Sequence, residues 1–522
     1  MKLTSVLILT TSIAALADVR LPAIVSDNMV LLQDSKANVW GWADAGESVS
    51  VKLGEATAAA KADEKGRWSV KLKGLKPGVA GDMTVAGKNT LTVKNVAVGE
   101  VWLASGQSNM EWVVKNAKNA EQEVAACNFP GIRVFTVAKK GSATPLDDVT
   151  GKWDIATPET APAFSAVGYF FIRDLHAKLK VPVGLIHSSW GGTPVETWIP
   201  ASGMNSNPTF AEHWKKKQAE YPQAKATFDE LMKAHKEATE KAKTEGKPAP
   251  KAPRAPDGPD ALFAAPMGLF NGMIAPLAPY TIRGALWYQG ESNAGLTNRG
   301  NMDLYGQLFA TMILSWRFEF ARAQNIPRDE SEFSFLFVQL ANYFPKREEP
   351  SDSYWAQIRE AQLGTLEIPR TEMAVAIDIG EANDIHPKNK QEVGRRLALA
   401  ALAATYFEET EYSGPIYGGM QMEEGKIRLN LSHAEGLKAA DGGAIKGFAI
   451  AGEDKKFYWA DVALEGDHVV VSSPKVPKPI AVRYGWADNP DGNLLNAAGL
   501  PASPFRTDKW QQNPPAGSAA TQ

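Results

Sequence analysis

Serine, histidine and carboxylate side chains in this chain stand where acyl transfer is physically workable. A serine hydroxyl is a weak nucleophile until a base takes its proton. An imidazole can take that proton and return it to a leaving alcohol. A carboxylate orients the ring, and fixed N–H donors stabilise the oxyanion. Ser108 lies in Ser105-Gly106-Gln107-Ser108-Asn109-Met110-Glu111-Trp112, directly after the apolar run Val101-Trp102-Leu103-Ala104. His386 lies in Asp378-Ile379-Gly380-Glu381-Ala382-Asn383-Asp384-Ile385-His386-Pro387, again after an apolar run. Of the seven histidines, only His386 combines such a loop with adjacent carboxylates. His187 is the competitor, and it reads as the end of a buried strand.

Two further segments offer donors. Paired glycines in Trp190-Gly191-Gly192-Thr193-Pro194-Val195-Glu196-Thr197-Trp198 let backbone amides approach a ligand. Trp287-Tyr288-Gln289-Gly290-Glu291-Ser292-Asn293 places an amide and a carboxylate together. Each segment also has a plain structural reading: a helix-capping serine, a turn, a polar loop.

The elements that must position these residues follow from the pattern. Apolar runs at 100–104, 132–137, 181–187, 283–288, 333–340 and 373–377 alternate with amphipathic stretches such as 167–180 and 354–366. That alternation predicts an α/β section with a parallel sheet over 99–408. Each candidate segment then falls at a strand's C-terminal end, where doubly wound sheets bind ligands. Residues 18–98 and 409–510 show period-two alternation with frequent turns, and predict β-sandwich-type sections on either side. Whether these two sections share one sandwich is left open. A charged stretch at 211–256, ending in Lys247-Pro-Ala-Pro-Lys-Ala-Pro-Arg-Ala-Pro256, reads as a solvated helical hairpin inserted in a loop. Residues 511–522 read as a disordered tail.

Composition narrows the function. The 522 residues suggest roughly three domains. Lys and Arg (56) nearly balance Asp and Glu (59), for a net charge of −3. That argues against nucleic acid as a general partner. A single cysteine excludes an intrachain disulfide and cysteine-ligated metal clusters, and Cys127 reads as a buried apolar residue. Residues 1–17 have the form of a secretory signal peptide: Lys2, an apolar run and Ala15-Leu16-Ala17 before Asp18. Cleavage near Ala17 would deliver a secreted or periplasmic protein. No later run is long enough for a membrane span.

Gly106-Gln107-Ser108-Asn109-Met110, Gly191-Gly192-Thr193-x-x-Glu196-x-Trp198, Trp287-Tyr288-Gln289-Gly290-Glu291-Ser292-Asn293 and Asp384-Ile385-His386-Pro387 together resemble the sialate O-acetylesterase family of SGNH-type hydrolases, related to the acetylxylan esterases. The resemblance covers about residues 96–408. It implies a flavodoxin-like parallel sheet with helices on both faces, and hydrolysis of acetyl esters on sugar hydroxyls through an acetyl-serine. By resemblance Ser108 is the nucleophile and His386 the base. Asp384 orients the ring, with Glu291 the alternative because relatives of the xylan branch use that carboxylate. The amides of Ser108 and Gly192 (or Gly191), with the side chain of Gln289, form the oxyanion hole. Asn109, Glu196, Asn293 and Arg283 are the expected substrate-binding residues, with Arg299 a second candidate cation for a sugar carboxylate. No cofactor or metal is implied, and the oligomeric state stays open. The alternatives are an acetylxylan or hemicellulose acetylesterase of the same mechanism, and a non-catalytic carbohydrate-binding protein using the 15 tryptophans. The Gly-x-Ser-x-Gly elbow of lipases is lacking, since Met110 stands at the second glycine.

Overall fold

The computed structural model describes residues 18–295 and 300–512. The leader 1–17, Arg299 and residues 513–522 of the expected tail lie outside the described residues.

Thirteen strands build the first two thirds of the chain. They are β1 (Val30–Leu32), β2 (Ala37–Trp42), β3 (Ser48–Leu53), β4 (Ala56–Lys61), β5 (Arg67–Leu72), β6 (Gly78–Ala86), β7 (Thr90–Gly106), β8 (Phe129–Thr136), β9 (Trp153–Ala156), β10 (Val183–Ser189), β11 (Gly284–Tyr288), β12 (Ser334–Gln339) and β13 (Thr371–Val375). The main sheet runs β13-β12-β11-β7-β10-β8-β9. Its pairings are parallel except for the edge strand β9, which runs antiparallel to β8. Without the β8–β9 edge, the order is the flavodoxin-like 2-1-3-4-5. β7 is strand 1, so its C-terminal end is the topological switch point.

Sequence explains the burial. β11 (GALWY) and β12 (SFLFVQ) are buried at every residue, as strands covered on both faces must be. β3 (SVSVKL) alternates, because one of its faces meets solvent. The helices are α1 (Ser108–Glu111), α2 (Ala120–Ala125), α3 (Ala166–Leu179), α4 (Ala201–Met204), α5 (Glu212–Thr244), α6 (Tyr305–Gln324), α7 (Tyr354–Gly364) and α8 (Lys390–Ala404). α3 packs with α8, and α6 with α7, flanking the sheet. Ser165, Ser353 and Asn389 cap α3, α7 and α8 through their side-chain oxygens.

β7 is 17 residues long. Its first part pairs with β6 in the N-terminal sheet, and its last part pairs with β10 and β11. A boundary at 98/99 therefore falls inside one strand. Residues from Val19 to Leu402 share a single apolar core.

The C-terminal section has its own core, including Ile427, Leu429, Val469, Val471, Ile450 and Val482. Two four-stranded antiparallel sheets enclose it. Among the described residues, no strand of this section pairs with the N-terminal one. It is tied to the α/β section by Arg506–Glu360 at 2.7 Å, by Arg483–Asp352 at 2.7 Å, and by Arg359 donating to the Ala487 carbonyl at 2.7 Å. The charged insertion is one helix rather than the expected hairpin. α5 runs 33 residues with Pro222 inside it and buries no residue. Among the described residues, no helix is long and apolar enough to cross a membrane.

Candidate active site

The site starts where β7 ends. Gly106 has φ +133°, and a Cβ there would come within 2.2 Å of the Tyr288 carbonyl oxygen. Only glycine permits this approach. The Gln107 amide donates to that same carbonyl at 2.9 Å. Its side-chain oxygen accepts from the amides of Gly290 (3.4 Å) and Ser292 (3.3 Å). The turn is thus anchored on the end of β11. Ser108 then opens α1, partly exposed between the buried Gln107 and Asn109.

Two contacts bring the histidine loop to this turn. Asn109 donates through Nδ2 to the Ile385 carbonyl at 3.0 Å, and the same Nδ2 donates to Glu291 Oε1 at 2.6 Å. The His386 ring stacks on Trp112, with centroids 4.9 Å apart and planes at 16°. The Trp112 amide in turn donates to the Ser108 carbonyl at 2.8 Å. Asp384 closes its own turn: its Oδ1 accepts the His386 amide at 2.9 Å and lies 3.8 Å from ring Nδ1. Glu291 bonds to Asn109 and not to the histidine.

The glycine pair faces the serine. A Cβ on Gly191 would lie 3.2 Å from Ser108 Cβ and 3.2 Å from Glu111 Oε2. The Gly191 amide donates to Glu111 Oε2 at 2.7 Å, and Gly192 follows it at φ +70°. Lys139 pairs with Glu111 at 2.5 Å and sits over the Trp190 ring at 5.6 Å. Trp190 stacks on Phe263 at 5.7 Å.

The residues expected to touch substrate are placed otherwise. Asn109 is 1% exposed, and its amide is spent on Glu291, Ile385 and Lys390. Asn293 accepts from the Val195 amide at 3.0 Å and donates to Glu196 at 3.0 Å. Glu196 also accepts the Asn301 amide at 2.5 Å. Both are buried braces of the loop wall. Gln289 is fully buried, and its side-chain nitrogen donates to the Thr193 carbonyl (3.2 Å) and Asn293 Oδ1 (2.8 Å), so it braces the loop after the glycine pair from behind. Arg283 is at the wrong end of the sheet. Its amide donates to the Val101 carbonyl, and its guanidinium binds Glu100 at 2.7 Å. Six strand residues separate that level from Gln107, roughly 20 Å.

Sequence reasoning passed over Lys390, Trp112 and Lys139. Lys390 stands four residues after His386, and that spacing was the one available signal. It is fully buried, and its ammonium donates to Asn109 Oδ1. Burial pushes its pKa down to about 7. Burial raises the Glu291 carboxyl. His386 is lowered, first by burial and then by the charge of Lys390. His187 is a neutral core residue bonded to Ser189 Oγ at 2.6 Å, lowered to about 4 by burial. Cys127 is buried. Among the described residues, no group of His, Cys, Asp and Glu is arranged to hold a metal ion.

The chain is similar to known proteins. The family model described as carbohydrate esterase, sialic acid-specific acetylesterase, matches residues 267–403. Mouse sialate O-acetylesterase is 32% identical over 445 residues, covering 79% of this chain and 78% of that protein. The chain belongs to the sialate O-acetylesterase family. The orangutan member is 30% identical over 538 residues, covering 95% of this chain and 94% of its own. A carbohydrate acetylesterase from Xanthomonas citri superposes with a TM-score of 0.79 at 38% identity, covering 94% of this chain and 100% of its own. Like its family, the chain is a serine ester hydrolase with an α/β fold of SGNH type.

Proposed function

We propose that this protein is an exported carbohydrate O-acetylesterase acting on acetylated sialic acids, with Ser108 as nucleophile and His386 as base. The observation that carries this reading is the Asn109 bridge, which joins the turn of Ser108 to the loop of His386. Ser108 Oγ attacks the acetyl carbonyl carbon while His386 takes its proton. The oxyanion is held by the Ser108 and Gly192 amides. As the bond to the sugar oxygen breaks, His386 returns the proton to that oxygen, leaving an acetyl-serine. Water then attacks the acetyl carbon and gives a proton to His386, which passes it to Ser108 Oγ as the acyl–serine bond breaks, releasing acetic acid, which ionises to acetate, and restoring the neutral imidazole. Asp384 lies nearest the ring and orients it.

The sialate reading needs a cation at the mouth, and Lys139 takes the place expected for Arg283. It lies over Trp190, which stacks on Phe263 and directly precedes the glycine pair. Residues 1–17 support export, and the mature chain would begin at Asp18.

Acetate release from O-acetylated sialic acids and from acetylated xylo-oligosaccharides, measured with wild type and Ser108→Ala, tests both levels. Ser108→Ala should abolish release. Residual wild-type rates in that variant would sink the mechanism. Equal turnover of the neutral sugars would move the substrate to the hemicellulose esters.

A further inference from the structure

Beneath the nucleophile turn lies a buried ladder of three polar side chains, Lys390–Asn109–Glu291. Lys390 Nζ donates to Asn109 Oδ1, and Asn109 Nδ2 donates to Glu291 Oε1 at 2.6 Å. Lys390 is 0% exposed, Asn109 1% and Glu291 2%. The ammonium also faces the rings of Tyr288 (5.4 Å) and Trp112 (6.0 Å). The three residues come from α8, α1 and the turn after β11, so the ladder ties the helix of the nucleophile to the helix that follows the His386 loop.

A lysine buried this deeply costs several kcal/mol unless it is paired and bonded. A methionine of similar length would fill the same space. The lysine's position therefore calls for a role that an apolar stem cannot supply. Two are visible. Its N–H orients the Asn109 amide, so that Nδ2 faces Glu291 and the Ile385 carbonyl. Its charge acts on His386 four residues away, whose ring shares Trp112 with it.

We propose that Lys390 is a positioning residue for the hydrolysis: by fixing the Asn109 amide it locks the His386 loop against the Ser108 turn. This rests on the reading of Ser108 and His386 given above. The groups facing Lys390 are Glu291 from the β11 turn, Asp384, Glu381 and His386 from the preceding loop, and Asn109, Trp112 and Tyr288 around them. The charges of Glu291, Asp384 and Glu381 favour the ammonium, and burial opposes it. Lys390 in turn lowers His386. Removing its charge therefore raises the base's pKa and moves the acidic limb of kcat/KM to higher pH.

The test uses Lys390→Met, which loses donor and charge, and Lys390→Gln, which keeps a donor. Lys390→Met should lower kcat by about 100-fold with KM changed far less, since a displaced base costs rate rather than binding. Lys390→Gln should recover part of kcat but not the position of the acidic limb. If Lys390→Met folds and keeps kcat within about two-fold with an unmoved limb, the inference fails. A folding-independent arm uses wild type alone. The His386 ring resonance, assigned as the signal missing from His386→Ala, should show a second inflection near pH 7 as Lys390 releases its proton. A single-step titration overturns the electrostatic coupling. Ser108→Ala keeps the two readings apart: its loss of activity upholds the nucleophile whatever Lys390 does, and its retention of activity sinks the mechanism irrespective of the ladder.

Discussion

The side-chain amide of Asn109 donates to the carbonyl of Ile385 at 3.0 Å, across 276 residues of sequence. One neighbour of the nucleophile thus holds one neighbour of the base. Removing that amide strips partners from Ile385, Glu291 and Lys390 together. A buried polar group left unpaired costs about 1–3 kcal/mol. Asn109→Ala should therefore lower the melting temperature and cut kcat by roughly 100-fold, with a smaller effect on KM. Melting curves and initial rates on a soluble acetyl ester check this. A wild-type kcat in a destabilised variant would make the bridge structural only.

The two carboxylates make opposite predictions. Asp384 lies 3.8 Å from the His386 ring and raises its pKa, whereas Glu291 is spent on Asn109. A base works in its neutral form, and His386 is held below 6.5, so the acidic limb of kcat/KM should fall below pH 6.5. Asp384→Asn removes a raising influence and should shift that limb to still lower pH, while reducing the rate by about 100-fold or more. Glu291→Gln should cost less. The reverse ranking in a pH–rate series would transfer the orienting role to Glu291.

Lys139 should govern substrate choice. Its ammonium is partly exposed and paired with Glu111. Lys139→Ala should raise KM for acetylated sialic acid several-fold, by about 1 kcal/mol for a charge contact at a wet surface. Rates on neutral acetylated sugars should change much less. An equal change on both classes would remove Lys139 from recognition.

His187 should shape stability rather than catalysis. Burial holds its folded pKa down at about 4, against an ordinary imidazole value of 6.5. Above pH 6.5 both folded and unfolded forms are neutral, and the full stability is present. Between 6.5 and 4 the unfolded chain takes up the proton first, and stability falls by roughly 3 kcal/mol in all. Denaturant titrations of His187→Gln should show a flatter decline over that window. An unchanged slope would place the acid sensitivity elsewhere.

The strand ends that carry Ser108 and His386 were legible because local sequence encodes them. An apolar run followed by Gly106-Gln107-Ser108 specifies a strand and a sharp turn, after which Ser108 is partly exposed. The buried wall was not legible. Asn109, Glu196, Gln289 and Asn293 are polar residues in loops, and proximity to a motif suggested solvent and substrate. Their partners are up to 281 residues away, and only the folded chain shows that their polar atoms are already satisfied. Arg283 failed for another reason: its place beside the third motif hides the length of β11, which carries it to the opposite edge. The hairpin expected at 211–256 was a reading of its charge and length. The chain continues as one helix through Pro222, and the segment after it returns without forming a second helix, with Gly258 beside Tyr221.

The continuous strand β7 has one more implication. Its first residues pair with the N-terminal sheet and its last residues pair with β10 and β11 beside the nucleophile turn, with a bend at Asn95, φ +54°, between the two. One strand is thus shared by both regions, and one apolar core runs through them. Trimming the N-terminal section would strip the strand that leads into Ser108 of its partners, so that section is scaffolding for the nucleophile turn and not a detachable cassette.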